Sequence, residues 1–411
     1  MNILPEEFTE YTRKLFGEDR WQRYLSAFDA DIPVSIRLNP FKIWDGECIF
    51  EDNRGDDVPW CRNAFYLEER PDFTCDPLLH AGVYYVQEAS SMFLDRVLQQ
   101  YMPSDMQQAL DLCAAPGGKS TLLRAALPEG VRLYSNEPDR RRANILMENM
   151  QKQGHPLVTV TNNYPADYHK SKLLFDLIVT DVPCSGEGMF RKDEGAIGEW
   201  SMQNVMKCAQ LQRSIIEDIW ENLMPGGLLV YSTCTFNLHE DEENVKWICE
   251  TLGAEVLPVD ISDEWNITGS LLEGWDKPAY RFIPGTTKGE GLFMAVLRKN
   301  SDNVLSGKPN MKALRVLSDG NPQAIVKGKN IIPAHAESLL CSLPKEKYPS
   351  VELSLEQSLH YLHHEAIVLP EELPRGIVLV RYKGHPLGFV KNIGNRANNL
   401  YPQEWKIRKG V

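Results

Sequence analysis

The stretch from residue 111 to residue 121, DLCAAPGGKST, constrains the fold more than any other part of the chain. An apolar run that includes Ala109, Leu110 and Leu112 leads into Pro-Gly-Gly, and the residues from 120 onward are typical of a helix start. Two adjacent glycines let the backbone approach a ligand where a Cβ atom would clash. The N–H groups at the head of the following helix favour a carboxylate or a phosphate. The stretch therefore predicts the first strand–turn–helix unit of a nucleotide-type α/β fold, with a polar ligand at the end of the strand.

Two common nucleotide-binding motifs do not match this stretch. A P-loop requires glycine where this chain has Cys113, and the stretch lacks the sequence G-x-G-x-x-G. A second apolar run ends at Glu137, nineteen residues after Gly118, and an acid at that distance suits the hydroxyl groups of a ribose. The combination favours a nucleoside cofactor without a pyrophosphate, of which S-adenosylmethionine is the obvious one. A tight turn with a helix-capping acid is the alternative for this stretch taken alone.

The composition of the whole chain limits the class of protein. The 411 residues suffice for two to four domains, and 43% hydrophobic and 25% charged residues are usual for a soluble protein. No stretch approaches about 18 apolar residues, and the acidic, amphipathic N-terminus is unlike a secretory signal, so we expect no membrane partner. The nine cysteines form no CxxC pair. We therefore expect neither disulfides nor a metal site, and a reducing, cytoplasmic location.

Strand and helix patterns alternate from residue 107 to residue 299. Such alternation predicts a mostly parallel sheet with helices on both faces, and ligands bind such sheets at the carboxyl ends of the strands. Strands are predicted at 108–113, 131–136, 157–162, 176–181, 227–233 and 291–298, and helices at 119–127, 139–153, 203–223 and 239–252.

The segments on either side of this alternation have other patterns. Apolar residues near helical spacing predict one or two helices within 4–28, the run 34–40 predicts a strand closed by a turn, and 41–75 predicts a small α+β lobe. A polar linker at 300–311 precedes mixed short elements, and 366–411 predicts a β-rich unit that contains AIVL, GIVLVRY and GFVKNI. From residue 375 onward eight Lys or Arg residues accompany one acid, although the whole chain has a net charge of −13. This basic end is the part that we expect to contact phosphates.

Two cysteines follow the predicted fourth and fifth strands. Cys184 lies in DVPCSGEG, which begins at Asp181, and Cys234 lies in YSTCTFN. If these strands are neighbours, both cysteines and Asp181 lie beside the loop that follows the first strand. A single buried cysteine is usually a small hydrophobic residue. Two cysteines at two strand ends, one of them beside Asp-x-Pro, favour chemistry instead.

Several motifs resemble those of the NOL1/NOP2/Sun-type RNA cytosine-C5 methyltransferases, namely SIRLNP, YYVQEASSM, DLCAAPGGKS, DVPCSGEGMFRK, YSTCTFN and GEGLF. Their order and spacing cover residues 34–299, and the glycine-rich basic end resembles the PUA-like domain of the bacterial RsmF type. The resemblance implies an α/β fold with a Rossmann-like class I methyltransferase domain. The implied units are an N-terminal α+β lobe (1–75), the methyltransferase domain (76–299), an intermediate α+β segment (312–357) and a PUA-like β-rich RNA-binding region (358–411).

The resemblance also implies roles in catalysis. Cys234 would be the nucleophile that adds to C6 of cytosine, because C5 must be activated before it can accept a methyl group. Cys184 would assist release of the product, and Asp181 would hydrogen-bond N3. Lys119 would face either the substrate or the carboxylate of the cofactor.

The same resemblance implies an S-adenosylmethionine site. The family usually has an acid after the third strand to meet the adenine amine, where this chain offers two asparagines. The residues implied for the cofactor are Cys113, Ala114, Ala115, Pro116, Gly117, Gly118, Lys119, Glu137, Arg142, Asn162, Asn163 and Asp181.

The expected substrate is an unpaired or flipped-out base, because a duplex cannot present C6 of cytosine to a thiolate. The RsmF-type organisation implies the 16S ribosomal RNA of the small subunit, naked or in an assembled subunit. Methylation of tRNA is the second reading, and it would use the same active-site residues. A catalytically idle RNA-binding factor of ribosome assembly is the third, and the intact Cys184, Cys234 and Asp181 count against it. We expect a monomer.

Overall fold

The computed structural model of the protein describes residues 4–327 and 330–408. Its first elements are two helices, α1 (Glu6–Phe16) and α2 (Glu18–Ala27), which confirm the helices predicted within 4–28. An N-terminal sheet follows, with strands β1 (Val34–Leu38), β2 (Arg54–Asp57), β3 (Ala64–Leu67) and β4 (Tyr84–Val86), and a short helix, α3 (Pro77–His80), precedes β4. The strand order is β2-β3-β1-β4. This sheet therefore includes residues beyond 75, where the sequence places the end of the lobe.

Nine strands of the described chain form the central sheet. They are β5 (Gln108–Asp111), β6 (Arg132–Asn136), β7 (Val158–Thr161), β8 (Phe175–Asp181), β9 (Leu223–Thr233), β10 (Ala254–Leu257), β11 (Tyr280–Phe282), β12 (Leu292–Lys299) and β13 (Val316–Ser318). The order is β10-β12-β9-β8-β5-β6-β7-β13, and β11 pairs with β12. The five strands from β5 to β9 are parallel to their neighbours in that block, while the outer strands pair antiparallel. The predicted α/β, Rossmann-like architecture is confirmed.

Helices cover both faces of this sheet. Alternate residues of the central strands enter two separate hydrophobic clusters, so Ala109 and Leu133 belong to one and Leu110 and Tyr134 to the other. That period of two, with both faces buried, is the pattern of a parallel sheet between helical layers. The helices are α4 (Phe93–Tyr101), α5 (Gly118–Ala126), α6 (Arg140–Gln153), α7 (Pro165–Ser171), α8 (Glu194–Glu199), α9 (Met202–Trp220) and α10 (Glu242–Leu252). Of these, α7 and α8 were not predicted from the sequence.

The segment after the linker contributes to the central sheet. Strand β13 pairs antiparallel with β7, and Val316 lies opposite Thr161. The Asn163 side chain fixes this pairing, because its Oδ1 accepts from the N–H of Arg315 at 2.9 Å and its Nδ2 donates to the carbonyl of Arg315 at 3.3 Å. The intermediate segment is thus attached to the methyltransferase sheet. The four domain limits drawn from the sequence stay a prediction.

The C-terminal unit is built on four described strands and one helix. A hairpin, β14 (Ile325–Lys327) and β15 (Asn330–Ile332), and a short helix, α11 (His335–Ser338), lead into it. Its elements are β16 (Ser350–Glu352), α12 (Leu355–Leu362), β17 (Gly376–Tyr382), β18 (His385–Asn392) and β19 (Ala397–Asn399), with the strands in that order in the sheet. The strands predicted in GIVLVRY and GFVKNI are present. The strand predicted in AIVL is wrong, because residues 366–369 are irregular and bury Ile367 but leave Val368 84% exposed.

The two ends of the chain share one hydrophobic core. Ile36 and Phe65 of the N-terminal sheet belong to the same buried cluster as Tyr361 and Val378 of the C-terminal unit. Polar contacts reinforce the junction, since the ring of His385 stacks on Trp44 with centroids 4.2 Å apart and its Nε2 lies 2.6 Å from Glu47 Oε1. The C-terminal unit is therefore packed on the N-terminal sheet rather than tethered to it.

The described residues contain neither a membrane-spanning helix nor a cluster of metal-ligating side chains. None of the helices in 4–327 and 330–408 combines the length and the apolar content that crossing a membrane requires. Within the same ranges, no group of three or more His, Cys, Asp or Glu side chains is arranged to hold a metal ion.

Candidate active site

The carboxyl ends of β5, β8 and β9 open into a cleft of about 360 Å³. Ligands of parallel α/β sheets bind at this edge. One wall is the turn after β5, residues 113–119, and another is the segment that follows β4, residues 85–88 with Ser91. Asp181 and Cys234 also line the cleft. The structure thus brings the first-strand loop and the cysteine-bearing strand ends together, as their order in the sequence predicts.

The turn after β5 presents its backbone to the cleft. The Asn136 side chain supports it from behind by donating to the carbonyl of Leu112 at 3.0 Å. The Ala115–Pro116 peptide is cis, and Gly117 has a φ of 121°, which a residue with a Cβ atom rarely adopts. Helix α5 begins at Gly118, and its first N–H groups lack partners within the helix. Such a helix start suits a carboxylate.

Glu137 and Arg142 lie behind this turn. The Glu137 side chain is 2% exposed, and burial raises the pKa of its carboxyl group. Arg142 joins the acid to the turn, because its Nη1 lies 3.3 Å from Glu137 Oε2 and its Nη2 donates to the carbonyl of Ala115 at 3.0 Å. Glu137 Oε2 is buried and has no partner of hydrogen-bond geometry among the described residues. A ribose hydroxyl would supply the missing donor.

The two asparagines after β7 differ in what they contact. Asn163 is 6% exposed, and both ends of its amide bond the backbone of Arg315. The amide NH2 of Asn162 donates to the carbonyls of Glu137 and Pro138 at 2.9 and 2.8 Å. Asn163 therefore holds β13 in place. Asn162 instead contacts the backbone of Glu137 and Pro138, on the side of the site where Glu137 lies. Neither of them lines the cleft itself.

The two cysteines meet at the neighbouring ends of β8 and β9. The sulfur atoms of Cys184 and Cys234 are 2.7 Å apart, and the backbone N–H of Cys234 donates to Cys184 Sγ at 3.3 Å. The hydrogen bond to Cys234, together with burial, raises the pKa of Cys184 well above its usual range. These surroundings favour the neutral thiol form of Cys184, and either sulfur can be the donor of the contact between them.

Asp181 and Lys119 form an ion pair within the cleft. Lys119 Nζ lies 2.9 Å from Asp181 Oδ2, and Ser232 Oγ donates to Asp181 Oδ1 at 2.9 Å. Burial opposes the charge of Lys119, but the neighbouring Asp181 and Asp111 raise its pKa, so the ammonium form persists. Lys119 thus contacts Asp181, an arrangement that the sequence did not reveal.

Two buried glutamates hold the cysteine loops together. Glu187, in the Cys184 loop, accepts from the N–H groups of Phe236 and Asn237 at 2.6 and 3.0 Å. Glu240, after the Cys234 loop, accepts from the N–H of Ser185 at 3.0 Å. The amide of Asn237 donates to both glutamates, at 3.1 Å to Glu187 and 2.9 Å to Glu240. We call Glu187, Asn237 and Glu240 the loop clasp.

Further residues of the cleft were not assigned from the sequence. Met189 and Lys192 lie at the end of the DVPCSGEGMFRK motif, and Glu290 lies in the GEGLF motif. Glu290 pairs with the Arg191 guanidinium, and both side chains are almost fully buried. The only signal was their position within motifs, because single Lys and Glu residues carry no periodic pattern.

Comparison with protein families matches successive parts of the chain to three models. "16S rRNA methyltransferase RsmB/F" matches residues 98–298, "N-terminal domain of 16S rRNA methyltransferase RsmF" matches 4–89, and "Methyltransferase RsmF PUA domain" matches 348–407. The chain belongs to the RsmB/F methyltransferase family. This family member is an S-adenosylmethionine-dependent methyltransferase with an N-terminal domain and a C-terminal PUA domain.

Relatives of this RsmB/F-family chain align along its whole length. A "Ribosomal RNA small subunit methyltransferase F" from Serratia proteamaculans is 28% identical and covers 100% of this chain and 98% of its own. The protein of the same name from Salmonella agona is 29% identical and covers 98% and 96%.

Solved structures also resemble this chain. A "Methyltransferase Homolog Protein" from Pyrococcus horikoshii has a TM-score of 0.59 at 26% identity, covering 72% of this chain and 95% of its own. "NSun6 from Pyrococcus horikoshii with SFG" has a TM-score of 0.60 at 21% identity, covering 72% and 99%. At 21% identity, the similarity to the NSun6 structure shows that the two proteins share a fold.

The residues of the site fit S-adenosylmethionine. Glu137, whose Oε2 lies beside Arg142 but has no partner of hydrogen-bond geometry among the described residues, would take the ribose. The helix start at Gly118 would face the amino-acid part. The cleft lining at 113–116 is apolar apart from its backbone and would border the carbon chain of the methionine part. These assignments rest on the donors and acceptors present and remain proposals residue by residue.

Proposed function

We propose that this chain methylates C5 of a cytosine in 16S ribosomal RNA and that Cys234 is its nucleophile. The observation that carries the proposal is the pair of cysteine sulfurs, 2.7 Å apart at the same cleft as the Lys119–Asp181 ion pair. The names of the full-length relatives support the RNA, and SFG, an S-adenosylmethionine analogue, supports the cofactor. We also propose that the enzyme acts as a cytoplasmic monomer.

The first chemical task is to make C5 nucleophilic. The Cys234 thiolate adds to C6 of the cytosine, which moves electron density toward C5 and N3. Asp181, held by Ser232 and Lys119, favours a proton on N3 and so disperses that charge. When bound, S-adenosylmethionine supplies the electrophilic methyl group that C5 accepts.

The second task is to release the product. Loss of the C5 proton to a base restores the ring, and the bond between C6 and Cys234 breaks with its electron pair returning to sulfur. The neutral Cys184 thiol hydrogen-bonds that sulfur and so stabilises the departing thiolate. Cys184 is therefore proposed to act at release and not at attack.

The experiment compares wild type, Cys234→Ala and Cys184→Ala. Each is incubated with labelled S-adenosylmethionine and, separately, with 16S ribosomal RNA, assembled small subunits and bulk tRNA. Wild type should label ribosomal RNA, Cys234→Ala should lose at least about 10³-fold in rate, and Cys184→Ala should accumulate a protein–RNA adduct stable on a denaturing gel. Cys48→Ala, at an exposed cysteine outside the cleft, is the matched control.

Each outcome separates the alternatives. Activity retained by Cys234→Ala would show that the nucleophile is another group. Labelling of tRNA in preference to ribosomal RNA would replace the substrate and leave the mechanism intact. If wild type labels no RNA under any condition, the assembly-factor reading replaces the enzyme.

A further inference from the structure

A second, smaller cavity lies next to the catalytic cleft. It has a volume of about 160 Å³ and is lined by residues of the N-terminal sheet on one side and of α5 and α6 on the other. Tyr85 and Val86 line both this cavity and the catalytic cleft. The Tyr85 ring also lies against the head of α5, because an added Cβ on Gly118 would be 3.5 Å from Tyr85 Cε1. Tyr85 and Val86 thus lie between the two spaces.

Arg37 brings an unbalanced positive charge to this cavity. Its side chain lines the cavity although the residue is only 4% exposed. Its guanidinium donates to neutral acceptors, Gln87 Oε1 at 3.1 Å and Thr121 Oγ1 at 2.7 Å. No carboxylate among the described residues forms an ion pair with it. A buried arginine without a counter-ion is costly, so a ligand that offers it an acceptor would be favoured.

Gln153 brings an unused acceptor to the same cavity. The residue is 4% exposed, and its Nε2 donates to the carbonyl of Thr121 at 2.6 Å. Its Oε1 is buried and has no hydrogen-bond partner in the part of the chain that the structure describes. Because Arg37 and Gln153 both bond Thr121, the free acceptor lies near the uncompensated donor. An unsatisfied buried amide oxygen calls for a donor from a ligand.

We propose that this cavity binds the base of a nucleotide next to the target cytosine. A nucleobase edge presents an acceptor beside a donor, as Arg37 and Gln153 require, and single-stranded RNA is read by splaying such bases onto aromatic side chains. Tyr85 is placed to stack between the flanking base and the catalytic cleft. The volume suits one base and is below that of drug-sized ligand sites. This inference rests on the proposed RNA substrate and adds a sequence-reading subsite to it.

The test is an abasic scan with full-length protein. The probe is a fluorescein-labelled nine-nucleotide single-stranded RNA with a central cytidine, together with versions that each lack one flanking base. Wild type should bind one of these abasic RNAs about 10-fold more weakly than the intact RNA, since a stacked and hydrogen-bonded base contributes that much. A flat scan would overturn the proposal, and this arm needs no protein variant.

Variants then assign the effect to the cavity. Gln153→Met keeps the length of the side chain but removes the acceptor, so it should bind the intact RNA about 10-fold more weakly and lose the abasic effect. Gln151→Met, on the same helix but outside this cavity, should behave as wild type. An abasic effect that persists in Gln153→Met would place the base elsewhere and overturn the assignment. Thermal unfolding of both variants checks that they are folded.

Parallel methylation assays keep the two proposals apart. Intact methyl transfer to RNA with a flat abasic scan would overturn the subsite alone. A base-dependent affinity without methyl transfer to any RNA would overturn the proposed function and leave the subsite as an RNA-binding feature.

Discussion

Of the two cysteines, Cys234 lines the cleft and Cys184 lies beside it, with the two sulfur atoms 2.7 Å apart. The hydrogen bond to Cys234 and burial raise the pKa of Cys184 and favour its neutral form. A thiol that donates to a thiolate stabilises that thiolate. In the proposed mechanism Cys184 thus favours the return of the electron pair to the Cys234 sulfur when the bond to C6 breaks.

Replacing Cys184 with alanine should therefore slow the release of the product. Losing a hydrogen bond to a charged group costs about 1.5 kcal/mol, which corresponds to a protein–RNA adduct that decays about 10-fold more slowly. The measurement is the decay of the isolated adduct with time, followed on denaturing gels. Cys48→Ala serves as the control, and an adduct lifetime unchanged by Cys184→Ala would contradict the arrangement.

The loop clasp should affect turnover more than binding. Glu187→Ala leaves the N–H groups of Phe236 and Asn237 without their acceptor, at a cost of about 1–3 kcal/mol each if they stay buried. The Cys234 loop would loosen, so kcat should fall at least about 10-fold while the affinity for S-adenosylmethionine stays unchanged. Glu187→Gln keeps one oxygen acceptor and should lose less. Equal loss of cofactor affinity and kcat would indicate general unfolding instead.

Among the elements of the chain, the central sheet was the part that the sequence predicted best. Its strands are apolar runs that alternate with helices, and such a run is buried on both faces wherever it sits in the sheet. Strand β13 could not be found in this way, because Val316 is exposed and the pairing depends on Asn163, about 150 residues earlier. The loop clasp could not be predicted from the sequence either, because it joins two loops whose residues follow no periodic pattern. The strand prediction for AIVL was wrong because an apolar run alone does not supply a neighbouring strand to pair with.

The elements at the junction of the N-terminal and C-terminal units carry buried histidines. Burial, with the charge of nearby lysines, lowers the pKa of His80 to about 4 and that of His335 to about 3. His335 sits in α11 against the rings of Tyr401 and Trp405, and neither of its ring nitrogens has a hydrogen-bond partner within 4–327 and 330–408. Protonating these rings while the junction is packed is therefore unfavourable.

Acid should loosen this junction in a defined pH range. Because the folded-state pKa values lie below the unfolded value of about 6.5, the unfolded chain binds protons first, and stability falls as the pH drops from about 6.5 toward 4. His335→Phe should unfold at a higher temperature than wild type at pH 5, with a smaller difference at pH 8. Thermal unfolding followed by circular dichroism is the measurement. His169→Gln, at a half-exposed histidine, is the control, and a pH-independent difference would rule out the histidine as the cause.

The whole molecule combines an acidic body with a basic stretch from residue 375 onward, in the C-terminal unit. The exposed cations of that unit include Lys383, Arg396 and Lys406, whereas the chain as a whole has a net charge of −13. Contacts between such cations and phosphates release counterions and make affinity depend on salt. The unit is also packed on the N-terminal sheet, so its charges have a fixed position relative to the cleft.

Replacing these three cations with glutamine should weaken RNA binding without destabilising the protein. For single-stranded RNA, the slope of log affinity against log salt should fall by about 0.7 for each phosphate contact that is lost. Fluorescence anisotropy between about 50 and 200 mM KCl measures it. Lys207→Gln with Lys246→Gln, on α9 and α10, is the control pair. An unchanged slope would remove the C-terminal unit from the RNA interface.

The core that the two chain ends share has a consequence for how the protein is made. Ile36 and Phe65 are synthesised about 300 residues before their partners near Tyr361 and Val378. Helix α3 likewise contacts α12 and β18, so the N-terminal sheet cannot complete its packing until the C-terminal unit has been synthesised. A chain interrupted before that unit would expose apolar surface to chaperones and proteases. Only copies that contain the C-terminal unit would then reach the RNA with the N-terminal sheet fully packed.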